Sequence, residues 1–594
     1  MYKDSFFSYF KIILFILCIS IVAFISNPYS FGHSNHAQEL PPILALIYGD
    51  LYSNDFAVQS FLAITPRYFW QLLIAFMVSS IGLGIDQSLM IIQIVSVISF
   101  VGALYAIALF VSKEGVISNN KNLGLYFIVA YISILTTMPL LSWGSKIFFI
   151  EAVPGTLAMG IAIWSIYFAL KKNWYAAYLC SASAVLIHFL VGIYSGLVIF
   201  PLLLLEIFKK NDFFKFIICL TIWLTPALYI YLNMLNLEPE IAGEYSFFEI
   251  FGIYRVYSVW HPSSVSIFRW FFDLCYLICG LYSSWKLFKS GFNKHILMLF
   301  VSMIVVSVLG LFINIIFVEF LKSEFIGKLQ LQRLIPFGHI GVFLLISLYA
   351  INITYKNFIG RFVKFCIVCL PLLTVILAGY NSLNAIATTV LTIFITFAIA
   401  FFFYRRASIN NFFMENLVFL LFLLLFISFY FKHEFFEFKE LNLLNDVRSN
   451  YGFFDDKSSH SDIARWLKFN TNKDELILTP PIRQQLSFLQ LQSQRAVYFS
   501  DKNVPYTKSG VYEWANRLQK LTNNKFNPYM SKNDVLTAWV NNPSTNIQTL
   551  AKLNNICYLI DIQNVHMDLA GKIILNEVIS NKHYSLWKLD YCNI

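Results

Sequence analysis

Charge is scarce in this 594-residue chain. Asp, Glu, Lys and Arg together make up 13% of it, against about 25% in an ordinary globular protein. That shortage excludes an all-soluble enzyme, a disordered scaffold and a nucleic-acid-binding protein. Clustered metal or redox ligands are also missing. Seven of the nine cysteines (Cys18, Cys180, Cys219, Cys275, Cys279, Cys366 and Cys369) lie in apolar runs and read as packing residues. Cys366 and Cys369 form a CxxC, but no Cys or His partner lies nearby. There is no tandem repeat at a fixed period and no low-complexity tract.

What fills the space is apolar. Hydrophobic residues account for 58% of the chain and aromatic residues for 18%, with 61 Phe, and the mean hydropathy is +0.65. A bilayer solvates such side chains without penalty, so the chain reads as a polytopic membrane protein. Spans are expected wherever about 17–25 apolar residues run together. The runs are Phe10–Ser26, Tyr68–Ile85, Ser88–Val111, Leu123–Leu140, Pro154–Leu170, Tyr175–Phe208, Phe213–Leu235, Ile267–Leu287, Ile296–Val318, Phe337–Ile353, Phe362–Ala378, Asn384–Tyr404 and Phe412–Phe431. The count is about thirteen segments. Lys3 and Lys11 flank the first run like a signal peptide, but no small-residue cleavage site follows, so an uncleaved helix with a cytoplasmic N-terminus is expected.

The net charge of +10 comes from basic tracts between runs, not from a surface built for an anionic partner. Lys209-Lys210 with Lys215, Lys286-Lys289-Lys294, Lys356-Arg361-Lys364 and Arg405-Arg406 belong inside by the positive-inside rule. That puts residues 27–67, 236–266, 319–336 and everything after Lys432 outside. Lys171-Lys172 fits only if Tyr175–Phe208 is a hairpin of two short helices with His188 to Gly192 at its outer tip. Some segment near Tyr68–Val111 would then be miscounted, and sequence leaves the two schemes open.

After Lys432 the texture changes: apolar runs shorten and charge returns. Helices are expected at Ser461–Phe469, Gly510–Leu521, Lys532–Val540 and Pro543–Leu553. Strands are expected at Glu475–Thr479, Ala496–Ser500, Ile556–Ile562, Lys572–Val578 and Tyr584–Leu589. The fold class is therefore mainly α: a transmembrane helical bundle, residues 1–432, followed by an extracytoplasmic α/β domain, residues 433–594. Cys557 and Cys592 lie in that exported part, where an oxidising compartment permits a disulfide.

Three outer segments hold residues suited to chemistry. The first loop, 27–67, carries His33, His36, Glu39, Asp50 and Asp55. Titratable groups beside a membrane are costly unless they work or stay wet. They make a carboxylate site with a general base, or a solvated loop in which Asp50 and Asp55 serve turns. Their spacing fits no metal motif, so a divalent ion has no support beyond the residue types. The segment Tyr254–Ser264 sets Arg255 and His261 among aromatics. Arg255 could fork to a phosphate or snorkel from an aromatic belt. The segment Lys328–His339 puts Gln332 and Arg333 at the mouth of a span, again suited to phosphate or carboxylate. His188 is either a ligand or a satisfied buried histidine, and Lys146 and Glu151 carry the same ambiguity.

The strings NHAQELPPI, LYSNDF, RVYSVWHPSS, LQLQRLIPF and TPP…RAVYFSDKNVP…YEWANRL resemble an uncharacterised bacterial branch of the type-C glycosyltransferase (GT-C) superfamily. The resemblance covers nearly the whole chain. It implies a multi-pass enzyme of the bacterial inner membrane that takes a sugar from a polyprenyl-phosphate carrier and passes it to a cell-envelope acceptor. It implies Asp55 or Asp50 as base or acceptor-positioning acid, with Arg255, His261 and Arg333 holding the carrier phosphate. His36, Glu39, Gln332 and His188 are further candidates for substrate binding. No paired Asp-x-Asp and no WWD-like string occurs, so protein N-glycosylation is not expected. A transporter or flippase, which would place ionisable residues at mid-span, and a non-catalytic assembly protein are the alternatives.

Overall fold

In this computed structural model the described residues are 2–114, 152–371 and 461–592, less short gaps of which 238–243 and 563–574 are the longest, with a few more between 128 and 133. The expected spans Asn384–Tyr404 and Phe412–Phe431, most of Leu123–Leu140 and Phe362–Ala378, the Arg405-Arg406 tract and the 432/433 boundary lie outside them. So do His33, Lys146 and Glu151.

The first part is helical: α1 (Tyr2–Ser26), α2 (His36–Tyr48), α3 (Phe56–Phe61), α4 (Tyr68–Ser79), α5 (Ile85–Glu114), α6 (Pro154–Leu170), α7 (Trp174–Ile187), α8 (Phe189–Lys210), α9 (Phe213–Asn236), α10 (Ile267–Lys289), α11 (Lys294–Asn314), α12 (Glu324–Leu329) and α13 (Ile335–Asn352). Five described stretches are long and apolar enough, by length and composition, to cross a bilayer: 85–113, 189–210, 213–236, 294–320 and 324–352.

The run Tyr175–Phe208 is a hairpin. His188 adopts an extended backbone that ends α7 and starts α8. Seven residues to either side of it, the hydroxyls of Ser181 and Ser195 meet at 3.0 Å. Gly192 permits the close approach, because a Cβ there would lie 2.2 Å from the Val185 nitrogen. His188 therefore sits at the tip. The compensating miscount is Tyr68–Ile85, expected as a span. Its helix, α4, has 12 residues, about 18 Å at 1.5 Å per residue, and belongs with the first loop. It packs through Trp70 and Ile74 on Leu40, Leu44, Tyr52 and Val58 of that loop.

One end of the bundle collects lysines. Trp174, Lys210 and Lys215 all contact the Glu206 carboxylate, at 2.9, 3.2 and 3.3 Å. His295, at the start of α11, meets the Ala169 carbonyl at the end of α6. The opposite end carries the His188 tip, α2 to α4 and residues 244–265 and 315–334. Asn314 at the end of α11 donates to the Trp260 carbonyl there.

The C-terminal unit sits on that second end. Its mixed five-stranded sheet has the order β2-β1-β3-β5-β4, from β1 (Leu476–Leu478), β2 (Ala496–Val497), β3 (Tyr558–Ile562), β4 (Leu575–Ser580) and β5 (Tyr584–Leu589). β1 pairs in parallel with β2 and β3, and β5 runs antiparallel to β3 and β4. Helices α14 (Ser461–Asn470), α15 (Leu489–Ser493), α16 (Lys508–Leu521), α17 (Lys532–Val540) and α18 (Ser544–Leu553) complete it. Each expected strand has its counterpart, and Cys557 and Cys592 form a disulfide. One apolar core joins the unit to the bundle: Phe247, Phe248, Tyr254 and Trp260 cluster with Phe499, Val511 and Trp514. Burial of that kind contributes roughly 25 cal/mol per Å² of apolar surface, so the two parts are fused, not tethered.

Candidate functional site

Beneath the C-terminal unit, three arginines converge from separated segments. Arg67 precedes α4, Arg255 closes the π-helical turn Phe248–Arg255, and Arg333 lies in the 3₁₀ turn Leu331–Leu334 ahead of α13. All are half-buried. Arg67 pairs with Glu39 of α2 at 2.9 Å, and Glu39 is 3% exposed. On its other side the Arg67 guanidinium lies 5.4 Å from the ring centre of Tyr506. Tyr506 interacts electrostatically with Arg67, Glu39, Arg255 and Arg333. His188 does so with Arg67 and Arg333. Glu39, Arg67, His188, Arg255, Arg333 and Tyr506 thus form one charged cluster at the mouth of the bundle.

The cations in it differ in their engagement. Arg67 is held by Glu39 and Tyr506. Burial works against its charge, but Tyr506 and Glu39 outweigh that and keep its pKa above the usual guanidinium value. Arg255 donates to the Lys502 carbonyl at 3.2 Å, leaving its buried Nε without a partner. Arg333 makes no ion pair among the described residues, and its Nε is likewise buried and unpartnered. Next to it, the Gln332 amide is fully buried with neither Oε1 nor Nε2 hydrogen-bonded. A guanidinium enclosed without a counter-ion is costly, and an oxyanion relieves that cost through a forked hydrogen bond.

His188 supplies a neutral donor. Its Nδ1 accepts from the Val191 N–H, capping α8. Burial first, then Arg67 and Arg333, push its pKa down to about 3. The ring is therefore uncharged at neutral pH with its proton on Nε2. Tyr506 also stays protonated: burial raises the phenol, and its hydroxyl is buried without a partner.

The other expected site residues lie elsewhere. Asp55, the favoured acid, caps α3 by accepting from the Val58 N–H. Its second oxygen accepts from the Val497 N–H and from Gln490 of the C-terminal unit. It is 1% exposed, and burial raises its pKa despite those donors. Three donors hold its carboxylate between α3 and the C-terminal unit. Asp50 is exposed and pairs with Lys473. His36 is buried, accepting from the Gly32 N–H and contacting the Ala152 carbonyl, so it braces the loop. His261 faces Glu319 at 3.4 Å and stacks on Tyr257 with ring centres 4.4 Å apart; among the described residues these contacts turn it to Glu319 and the aromatics. Arg67 and Tyr506 were absent from the sequence expectation. Arg67 had a signal, since it precedes an apolar run as Arg333 does. Tyr506 had none. Among the described residues, no three His, Cys, Asp or Glu side chains gather as metal ligands.

A family model for a domain of unknown function (DUF6798) matches residues 459–521, the part of the C-terminal unit that carries Gln490 and Tyr506. No curated protein matches the sequence. Among solved structures, ArnT from Cupriavidus metallidurans in the apo state aligns over 98% of both chains at 13% identity with a TM-score of 0.48. The same protein bound to undecaprenyl phosphate aligns over 97% of both chains, again at 13% and 0.48. The archaeal oligosaccharyltransferase AglB from Archaeoglobus fulgidus, in complex with an inhibitory peptide and a dolichol-phosphate, aligns over 95% of this chain and 71% of its own at 10% identity and 0.34. At these scores the likeness is one of outline, and no residue role passes along it.

Proposed function

We propose that the chain is a membrane glycosyltransferase of the type-C kind, moving a sugar from a polyprenyl-phosphate donor to a cell-envelope acceptor. The observation that carries this reading is Arg333, a half-buried guanidinium without a counter-ion, beside the neutral His188 and the Glu39–Arg67 pair. The cluster lies where the bundle's apolar spans end, which suits a ligand with an anionic head and a hydrocarbon tail. In the reaction the acceptor hydroxyl attacks the anomeric carbon and the bond from that carbon to the phosphate oxygen breaks. Arg333, Arg67 and the His188 Nε2–H stabilise charge on the departing lipid phosphate. Glu39 takes the hydroxyl proton. The positive-inside rule places the lysine-rich end in the cytoplasm, so the site and the C-terminal unit face the outside of a bacterial inner membrane.

Purified full-length protein incubated with radiolabelled polyprenyl-phosphate sugars and an envelope-lipid extract tests this. Release of free polyprenyl phosphate, with label appearing on an acceptor, is the expected result. Neither turnover nor binding across a panel of such donors would overturn the reading.

A further inference from the structure

Asp55, expected to be a catalytic acid, anchors a chain of contacts that ends at the arginine cluster. Its carboxylate accepts from the Gln490 side-chain amide, and the Gln490 carbonyl oxygen accepts from Asn503. Asn503 begins the short loop that carries Tyr506. Arg255 grips the same loop from the bundle side through the Lys502 carbonyl. At the loop's far end Thr507 caps α16 by accepting from the Gly510 N–H. The loop is thus fixed at both ends. Between them Tyr506 packs edge-on against Phe61 of α3, ring centres 5.3 Å apart, and lies under the Arg67 guanidinium. Its hydroxyl, the one polar atom of that side chain, is buried and bonded to nothing. Leaving a buried donor unmet is costly, and the charged groups acting on it are Arg67, Arg255, Arg333 and Glu39. None of those guanidiniums can accept a hydrogen bond.

We infer that Tyr506 is the C-terminal unit's contribution to the anion pocket: its hydroxyl donates to the phosphate of a bound lipid-linked ligand, and Asp55 acts through Gln490 and Asn503 as its positioning residue. This rests on the proposed function for the identity of the ligand. The pocket is then incomplete in the bundle alone. Tyr506 supplies the neutral donor that lets one phosphate oxygen be met from above while Arg333 and Arg67 meet the others.

The test uses full-length protein in detergent, with farnesyl phosphate as probe and inorganic phosphate as a second arm, binding being read by calorimetry. Tyr506→Phe keeps the ring against Arg67 and Phe61 and removes only the hydroxyl. It should raise the dissociation constant for farnesyl phosphate about tenfold, the effect of losing one hydrogen bond to a charged group. Asp55→Asn should raise it severalfold alone and add nothing in the Tyr506→Phe background, which loss of folding would not reproduce. Asn503→Ala enters the same relay should Asp55→Asn not fold, and its effect should vanish in that background too. Arg333→Ala separates the two readings. If it leaves binding intact, the proposed function fails. If it weakens binding while Tyr506→Phe does not, only this inference fails. Full additivity of Asp55→Asn with Tyr506→Phe would overturn the positioning role. Equal affinity for inorganic and farnesyl phosphate would overturn the lipid as source.

Discussion

The two ends of the bundle are both basic, yet their cations live differently. At one end Lys171, Lys172, Lys209, Lys210, Lys289 and Lys294 are exposed. Their ammonium groups stay at the surface: Lys210 pairs with Glu206, and Lys289 lies 4.2 Å from the Trp285 ring centre. At the other end Arg67, Arg255 and Arg333 are half-buried under a folded domain. Lysine heads remain in water and set orientation by number. Arginine, weakly hydrated and forked, can be enclosed and aimed. Net charge therefore does not distinguish the two ends; enclosure does.

The sharpest way to break that comparison is at Glu39, the carboxylate inside the enclosed end. Glu39→Gln should lower kcat about 10³-fold, the scale of general-base catalysis, while farnesyl phosphate binding is unchanged or tighter because Arg67 gains freedom. Steady-state transfer rates set beside calorimetric affinities check this. Equal losses in both would make Glu39 a brace for Arg67 and nothing more.

Arg333→Ala comes next. Removing the unpaired cation should reduce kcat/KM about 10²-fold through lost stabilisation of the leaving phosphate. Arg333→Lys should recover only part of this, since an ammonium lacks the fork. A full rescue by lysine would show that charge alone matters there and would erase the contrast between the two ends.

How much of this could be read from residues alone follows the same division. The C-terminal unit was legible because short-range patterns decide it: Lys532–Val540 and Tyr584–Leu589 have the observed ends. The hairpin at His188 was legible only as one of two schemes, raised by the parity of Lys171-Lys172 and settled by the extended backbone at His188. The 12-residue α4 was not, because an apolar run packed on loop helices has the composition of one in lipid. Arg333 was legible as a lone cation at a span mouth. Asp55 shows the limit. An acid in an outer loop invites a catalytic reading, but two of its donors, Gln490 and Val497, lie more than 430 residues away. Long-range contacts of this kind leave no trace in local pattern.

At the lysine end, the expected effect is near zero. Lys209→Ala with Lys210→Ala should leave farnesyl phosphate affinity within twofold, because exposed ammonium groups at the far end of the bundle lie well beyond a Debye length of about 8 Å from the arginine cluster. Glu206 keeps Lys215 as a partner in that variant, so folding should survive. A tenfold loss of affinity would mean that the lysine end holds a second anion site, and the distinction between the ends would fail.

The smallest effect belongs to Asp50, the first-loop acid that faces water. The Lys473 ammonium donates to its carboxylate and holds it below the ordinary aspartate range. A depressed folded-state pKa means that the pair's contribution is present above the unfolded value and is lost as pH falls through the folded one. Both partners are more than half exposed, Asp50 at 53% and Lys473 at 59%, so solvent and salt screen the pair and most of its gain is cancelled. Asp50→Asn should therefore leave the transfer rate unchanged and shift thermal unfolding at pH 7 by no more than scan-to-scan scatter. Any shift should fade as pH falls through the depressed pKa of the wild-type carboxylate. Two first-loop acids of one sequence context would then separate by enclosure alone, Glu39 in chemistry and Asp50 in nothing measurable. A hundredfold loss of kcat in Asp50→Asn, at unchanged melting temperature, would place the acceptor's base on the outer rim and undo the assignment to Glu39.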